Sequence, residues 1–158
     1  MPRHITSEEV KHLLNYDPET GIFLWKRTGK VAGTTSPFGY RIIQINRICY
    51  RAHWLAWLIT YGVWPVNIID HRNLNGCDNR LLNLREATNG QNRANSRRNK
   101  RKYDLPKGVF PSHGGKFGAQ IVSGKVHYYL GVFGTAEEAH TAYLEKAMVL
   151  HGEFARAA

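Results

Sequence analysis

The chain has 158 residues, with 22 Lys and Arg against 12 Asp and Glu and a formal charge of +10. At that length it holds one ordinary domain or two to three small modules with thin cores, and the positive surplus points to a polyanionic partner. No apolar run reaches the roughly 18–20 residues of a membrane span, and the stretch from Met1 to Glu9 lacks the apolar centre of a secretory signal. A cytoplasmic protein with no membrane partner is expected.

In chain order, Thr6-Ser7-Glu8-Glu9 fits a capping box that opens a short helix through Val10, Leu13 and Leu14, predicted to stop near Asp17-Pro18. Ile22 to Trp25 reads as a first strand, Lys26 to Pro37 as a glycine-containing loop, and Tyr40 to Ile45 as a strand facing Ile48-Cys49-Tyr50 across a turn at Asn46-Arg47. Trp54, Leu55, Trp57, Leu58 and Tyr61 recur at helical spacing until Gly62 and Pro65 stop the helix. The four tryptophans are expected in cores. The cysteines, Cys49 and Cys77, form no CxxC pair and are expected to be reduced packing residues, which supports neither disulfide nor structural zinc.

Val66 to His71 reads as a strand with a polar end, and the loop from Arg72 to Arg80 is rich in Asn, Gly and Asp. Leu84 to Ala87 reads as the returning strand. Thr88-Asn89-Gly90-Gln91 is a second capping box, opening a helix that carries Asn92 and Asn95. Seven positive charges then gather at Arg93, Arg97, Arg98, Lys100, Arg101, Lys102 and Lys107, against the single acid Asp104. The remaining chain has three glycine-punctuated runs that predict antiparallel strands, and Thr135 caps a last helix whose Ala139, Ala142, Tyr143, Ala147 and Leu150 can face that sheet.

The chemistry-bearing feature is Asp70-His71, with Asn83 twelve residues after His71 and Asn92 twenty-one after it. A strand pair packed on the following helix would converge these groups. Singly, each has an ordinary use: Asp70 as a strand-end cap, Asn83 and Asn92 in turns, His71 as a loop histidine. His53, between Ala52 and Trp54, is read as a satisfied histidine either just behind the site or in the core, and is left out of the site itself. The other histidines have no zinc-like spacing.

The pattern of Asp70-His71, Asn83-Leu84-Arg85 and Asn92, with Ala52-His53 and Asp78-Asn79-Arg80 around it, resembles the HNH nuclease family in its His-Asn-Asn variant, found in phage homing and intron-encoded nickases. The resemblance covers about residues 50–97. It implies a ββα-metal core and phosphodiester hydrolysis in double-stranded DNA, with His71 as general base and Asn83 orienting the loop. Asp70 and Asn92 would hold one Mg²⁺ or Mn²⁺ ion through oxygen, with no small-molecule cofactor.

Lys107-Gly108-Val109, Gly115 to Ile121, Tyr129 to Phe133 and Thr135 to Ala139 with Ala142-Tyr143 resemble the Apetala/ethylene-response-factor DNA-binding domain. In that family a three-stranded sheet enters the major groove. The plant domain carries Arg and Trp on the sheet face, where this chain has Phe110, Phe117, Gln120 and Tyr129.

Together these readings predict an α+β protein: an N-terminal αβ segment at 1–50, a nuclease core at 51–97, a basic linker at 98–106 and a sheet-plus-helix domain at 107–158. DNA contacts are assigned to Arg93, Arg97, Arg98, Lys100, Arg101, Lys116, Gln120 and Lys125. One active site per chain favours a monomer, and pairing on DNA is compatible with it. Two other classes are weighed: a non-catalytic sequence-specific DNA-binding protein, and an RNA binder stacking bases on Phe117, Tyr128 and Tyr129.

Overall fold

The computed structural model describes residues 5–96 and 104–155. The fold is α+β, with four α-helices and small antiparallel sheets among the described residues, in two compact units divided between Ala87 and Thr88.

In the first unit, α1 (Ser7–Leu13) starts at the Thr6 capping box, where Thr6 Oγ1 accepts from Glu9 N and Glu9 returns the contact to Thr6 N. The helix ends at Leu13, earlier than the expected stop near Asp17-Pro18, because Leu14–Tyr16 becomes strand β1 and pairs with β2 (Phe23–Trp25). A long-range partnership outweighs the local helical pattern: Tyr16 stacks on Phe23 with ring centroids 4.6 Å apart, and its hydroxyl donates to Asn79 O at 2.7 Å. The stretch expected to be loop from Lys26 to Pro37 contains a short strand, β3 (Thr34–Thr35), on β4 (Arg41–Ile45). Gly33 makes that approach feasible, since a Cβ there would lie 2.4 Å from Ile42 O.

β4 turns into β5 (Ile48–Arg51) through Asn46 and Arg47, both at positive φ, and Ile45 faces Ile48 across the turn. That is a two-residue hairpin whose twist matches its strands. α2 (Ala52–Tyr61) follows at once and ends on Gly62 in the left-handed region. It buries Leu55, Ala56 and Leu58 with Leu14, Phe23, Ile43 and Tyr50, in a core that also reaches Ile69 and Leu84. The tryptophans pack on this core half-buried. Cys49 is exposed rather than packed, because Gln44 opposite it in the hairpin also faces solvent. β6 (Ile68–His71) and β7 (Leu84–Ala87) close the unit as an antiparallel pair.

The second unit begins with α3 (Asn89–Asn95), whose Thr88 capping box is complete. β8 (Val109–Pro111), β9 (Phe117–Ser123) and β10 (Val126–Phe133) form a sheet in the order β10-β9-β8, and α4 (Ala136–His151) starts at a Thr135 capping box. Val109, Ala119 and Ile121 of the sheet and Ala139, Tyr143 and Ala147 of the helix are buried in two adjoining clusters. Gly108, at φ +82°, lies flat on the Tyr143 ring, where a Cβ would come within 2.0 Å of a ring carbon. Only glycine permits both that φ and that approach.

Candidate active site

Strand β6 delivers Asp70 and His71 into buried positions, 4% and 5% exposed, at the mouth of the loop 72–80. Adjacent strand residues point to opposite faces, so their environments differ. Asp70 stands opposite Arg85 on β7, and Arg85 Nε donates to Asp70 Oδ2 at 2.9 Å, with both side chains almost fully buried. A buried carboxylate needs such a counter-charge, because desolvation of a lone ion costs several kcal/mol.

The loop owes its shape to short side chains that hydrogen-bond their own backbone. Asn73 Oδ1 accepts from Asn75 N at 2.9 Å, and Asn75 Oδ1 accepts from Cys77 N at 3.0 Å. Arg80 grips both carboxylate oxygens of Asp78, and this holds the Asp78 carboxyl down at about 2. Asn83, in the turn Leu81–Asn83, ties the two ends together: its Oδ1 accepts from Asn73 N at 3.1 Å and its Nδ2 donates to Asp78 O at 2.8 Å. Its own carbonyl accepts from Arg72 N at 2.9 Å.

The loop is also seated on the rest of its unit. Leu81 N donates to Pro18 O, Gly21 closes on the backbone of Asn79 and Arg80, and Gly76 lies against Gly39 and the Tyr40 ring. Sequence reasoning misses this role of residues 16–21 and 39–40, which only long-range contacts reveal.

Burial lowers the pKa of His71, opposed by the Asn79 side chain and by Asp70 and Asp78, and the ring is held toward its neutral form. His53, left out of the site on sequence grounds, stands directly behind it. Its ring centroid is 4.9 Å from that of His71, at 87° between planes. It is 1% exposed, and burial first, then His71 and Arg51, push its pKa down to about 3. The available signal was a histidine on the buried face of α2 beside Ala52, Leu55 and Ala56.

A buried neutral histidine has a pH consequence. Below its ordinary value of 6.5 the unfolded chain takes up a proton that folded His53 refuses until about pH 3, so stability falls as pH drops through that window. The slope from this one group is at most about 1.4 kcal/mol per pH unit. Thermal melts from pH 7 to 4 should therefore show a shallower loss in His53→Phe than in the parent, and equal slopes would refute the assignment.

The other predicted residues fall in the second unit. Asn92 and Arg93 are exposed on α3. Lys116, Gln120 and Lys125 are exposed along β9 and at its hairpin tip, with Gln120 opposite the exposed Tyr129. Arg97, Arg98, Lys100 and Arg101 lie outside the described residues.

Among the described residues no group of three or more His, Cys, Asp or Glu gathers. The Asp70 carboxylate, one oxygen of which is bonded by Arg85, is a donor of the kind that a hard, water-keeping ion takes. No helix among the described residues is long and apolar enough to cross a membrane. Residues 50–94 match the family model described as HNH endonuclease, a span that contains Asp70, His71, Asn83 and Asn92. No curated protein and no solved structure matches the chain.

Proposed function

We propose, for a chain whose HNH endonuclease domain makes it a DNA-cleaving hydrolase, that His71 is the general base of phosphodiester hydrolysis in double-stranded DNA. The observation that carries this reading is a buried imidazole biased toward neutrality, placed at the end of a strand and beside a loop fastened at both ends by Asn83. A neutral imidazole accepts a proton from water as the water oxygen bonds to phosphorus and the bond to the departing sugar oxygen breaks. Asn83 takes no proton; it keeps the loop, and with it the approach to His71, in one shape.

Asp70 would hold a single Mg²⁺ or Mn²⁺ ion, and the family pattern adds Asn92 as a second protein oxygen, an assignment that rests on the pattern alone. Bound there, the ion supplies neutralisation of charge on the phosphate and the leaving oxygen. Arg85 keeps the Asp70 carboxylate paired and in register.

DNA is held by the exposed cations of the second unit. Lys116 and Lys125 bracket β9, whose ends lie roughly 20 Å apart at about 3.3 Å per residue, and suit phosphates; Gln120 between them suits an adenine edge. Arg93, Arg97, Arg98, Lys100 and Arg101 add phosphate contacts, so affinity falls steeply as salt rises. One active site per chain fits action as a monomer, and pairing on DNA is compatible with it.

The test is supercoiled plasmid incubated with purified protein. Relaxed circles or linear DNA should accumulate with Mg²⁺ or Mn²⁺ and not with EDTA. Full DNA retention without cleavage in either metal would replace this reading with that of a non-catalytic DNA-binding protein.

A further inference from the structure

His53 lies within the first unit, in contact with His71, and neither the loop contacts nor the proposed reaction makes use of it. Its imidazole is fixed on several sides. The Trp54 ring stands edge-on to it at 5.8 Å and 87°, and Tyr40 stands edge-on at 5.6 Å and 61°. The Arg51 guanidinium lies over both of those rings, 4.9 Å from the Tyr40 centroid and 5.3 Å from that of Trp54. Tyr40 also reaches the His71 ring at 6.0 Å. Two of the rings against His71, those of His53 and Tyr40, are thus themselves held by a cation clamped across their neighbours.

Edge-to-face contacts of this kind have a directional preference, because the positive edge of one ring meets the negative face of the other. A ring locked in this way restricts the rotation of its partner. His53 Nδ1 is buried with no hydrogen-bond partner among the described residues, a cost that packing alone does not require, since an apolar ring would avoid it.

We propose that His53 is a positioning residue for His71, setting the plane of the base's imidazole through edge-to-face contact backed by Tyr40. The inference rests on His71 being the base. His53 touches neither DNA nor metal and acts only through the angle at which His71 meets the attacking water. Misplacement of a reacting group by about 1 Å costs up to about 100-fold in rate.

The experiment compares His53→Leu, which fills volume without a ring, with His53→Phe, which retains the ring edge. Single-turnover plasmid nicking in Mg²⁺ should fall roughly 10- to 100-fold in His53→Leu and stay within about threefold of the parent in His53→Phe. DNA affinity in EDTA should be unchanged in both, and thermal melts matching the parent separate a positioning effect from unfolding of the first unit. If His53→Leu fails to fold by circular dichroism, His53→Gln takes its place with the same expectation. Parental nicking rates in the ringless variant, or equal losses in the ringless and ring-bearing variants, overturn the proposal. His71→Ala run alongside separates the two levels: an inactive His71→Ala with a fully active His53→Leu removes the positioning role and leaves the base in place, whereas an active His71→Ala removes the base itself.

Discussion

His71→Ala lowers the single-turnover rate of DNA cleavage by about 10²- to 10⁴-fold while leaving DNA affinity in EDTA unchanged. The size follows from the role proposed for the imidazole, a positioned general base held toward its unprotonated form by burial. The separation of rate from binding follows from its placement, since His71 is 5% exposed and offers little surface for phosphate contact. Removal of the ring leaves a space beside His53 and Tyr40, so added imidazole should restore part of the rate. A variant that cleaves at the parental rate would remove His71 from the chemistry, and a variant that loses rate and affinity together would assign it to DNA binding instead.

Arg85→Ala destabilises the first unit by about 3–5 kcal/mol, the cost of leaving a buried charge without its partner. Arg85 Nε and Asp70 Oδ2 meet at 2.9 Å between side chains that are 7% and 3% exposed, so solvent cannot replace the lost cation. Breaking the pair differs from deleting it. Asp70→Leu combined with Arg85→Met exchanges both charges for apolar groups of comparable bulk, a change that is often neutral for stability, and urea melts should show it near the parent. That folded double variant should nevertheless be inactive, because the carboxylate proposed to hold the metal is gone. Cleavage by the double variant would confine Asp70 to a structural role, and an Arg85→Ala protein as stable as the parent would mean that water reaches the carboxylate.

These two expectations differ in how far the sequence anticipates them. Asp70, His71 and Asn83 are legible as a set because their spacing brings a strand end, a loop and a returning strand into one unit. The Asp70–Arg85 pair is not legible in advance, although both residues are visible. It depends on the register that sets Asp70 opposite Arg85 and His71 opposite Leu84, and a shift of one residue would turn Asp70 to the other face. The loop is half legible: its Asn and Asp residues announce local backbone bonding, but the contacts from Tyr16, Pro18, Gly21 and Gly39 that seat it come from residues 37 to 63 positions away.

Local signals determine the elements whose stabilising contacts are themselves local. The capping boxes expected at Thr6 and Thr88 and the cap expected at Thr135 form, and the hairpin turn at Asn46-Arg47 and the α2 stop at Gly62 lie where expected, Arg47 being held at positive φ by the hairpin. Leu14–Tyr16 runs the other way, because a strand partner supplied by the fold outcompetes a helix that the local pattern extends. The same division holds at the active site. The sequence by itself places an Asp-His pair, two asparagines and a run of basic residues in a chain whose residues 50–94 match the HNH endonuclease model. Only the tertiary structure decided that His53 stands against His71 and Arg85 against Asp70, since packing and strand register bring together side chains whose separation along the chain carries no local signal.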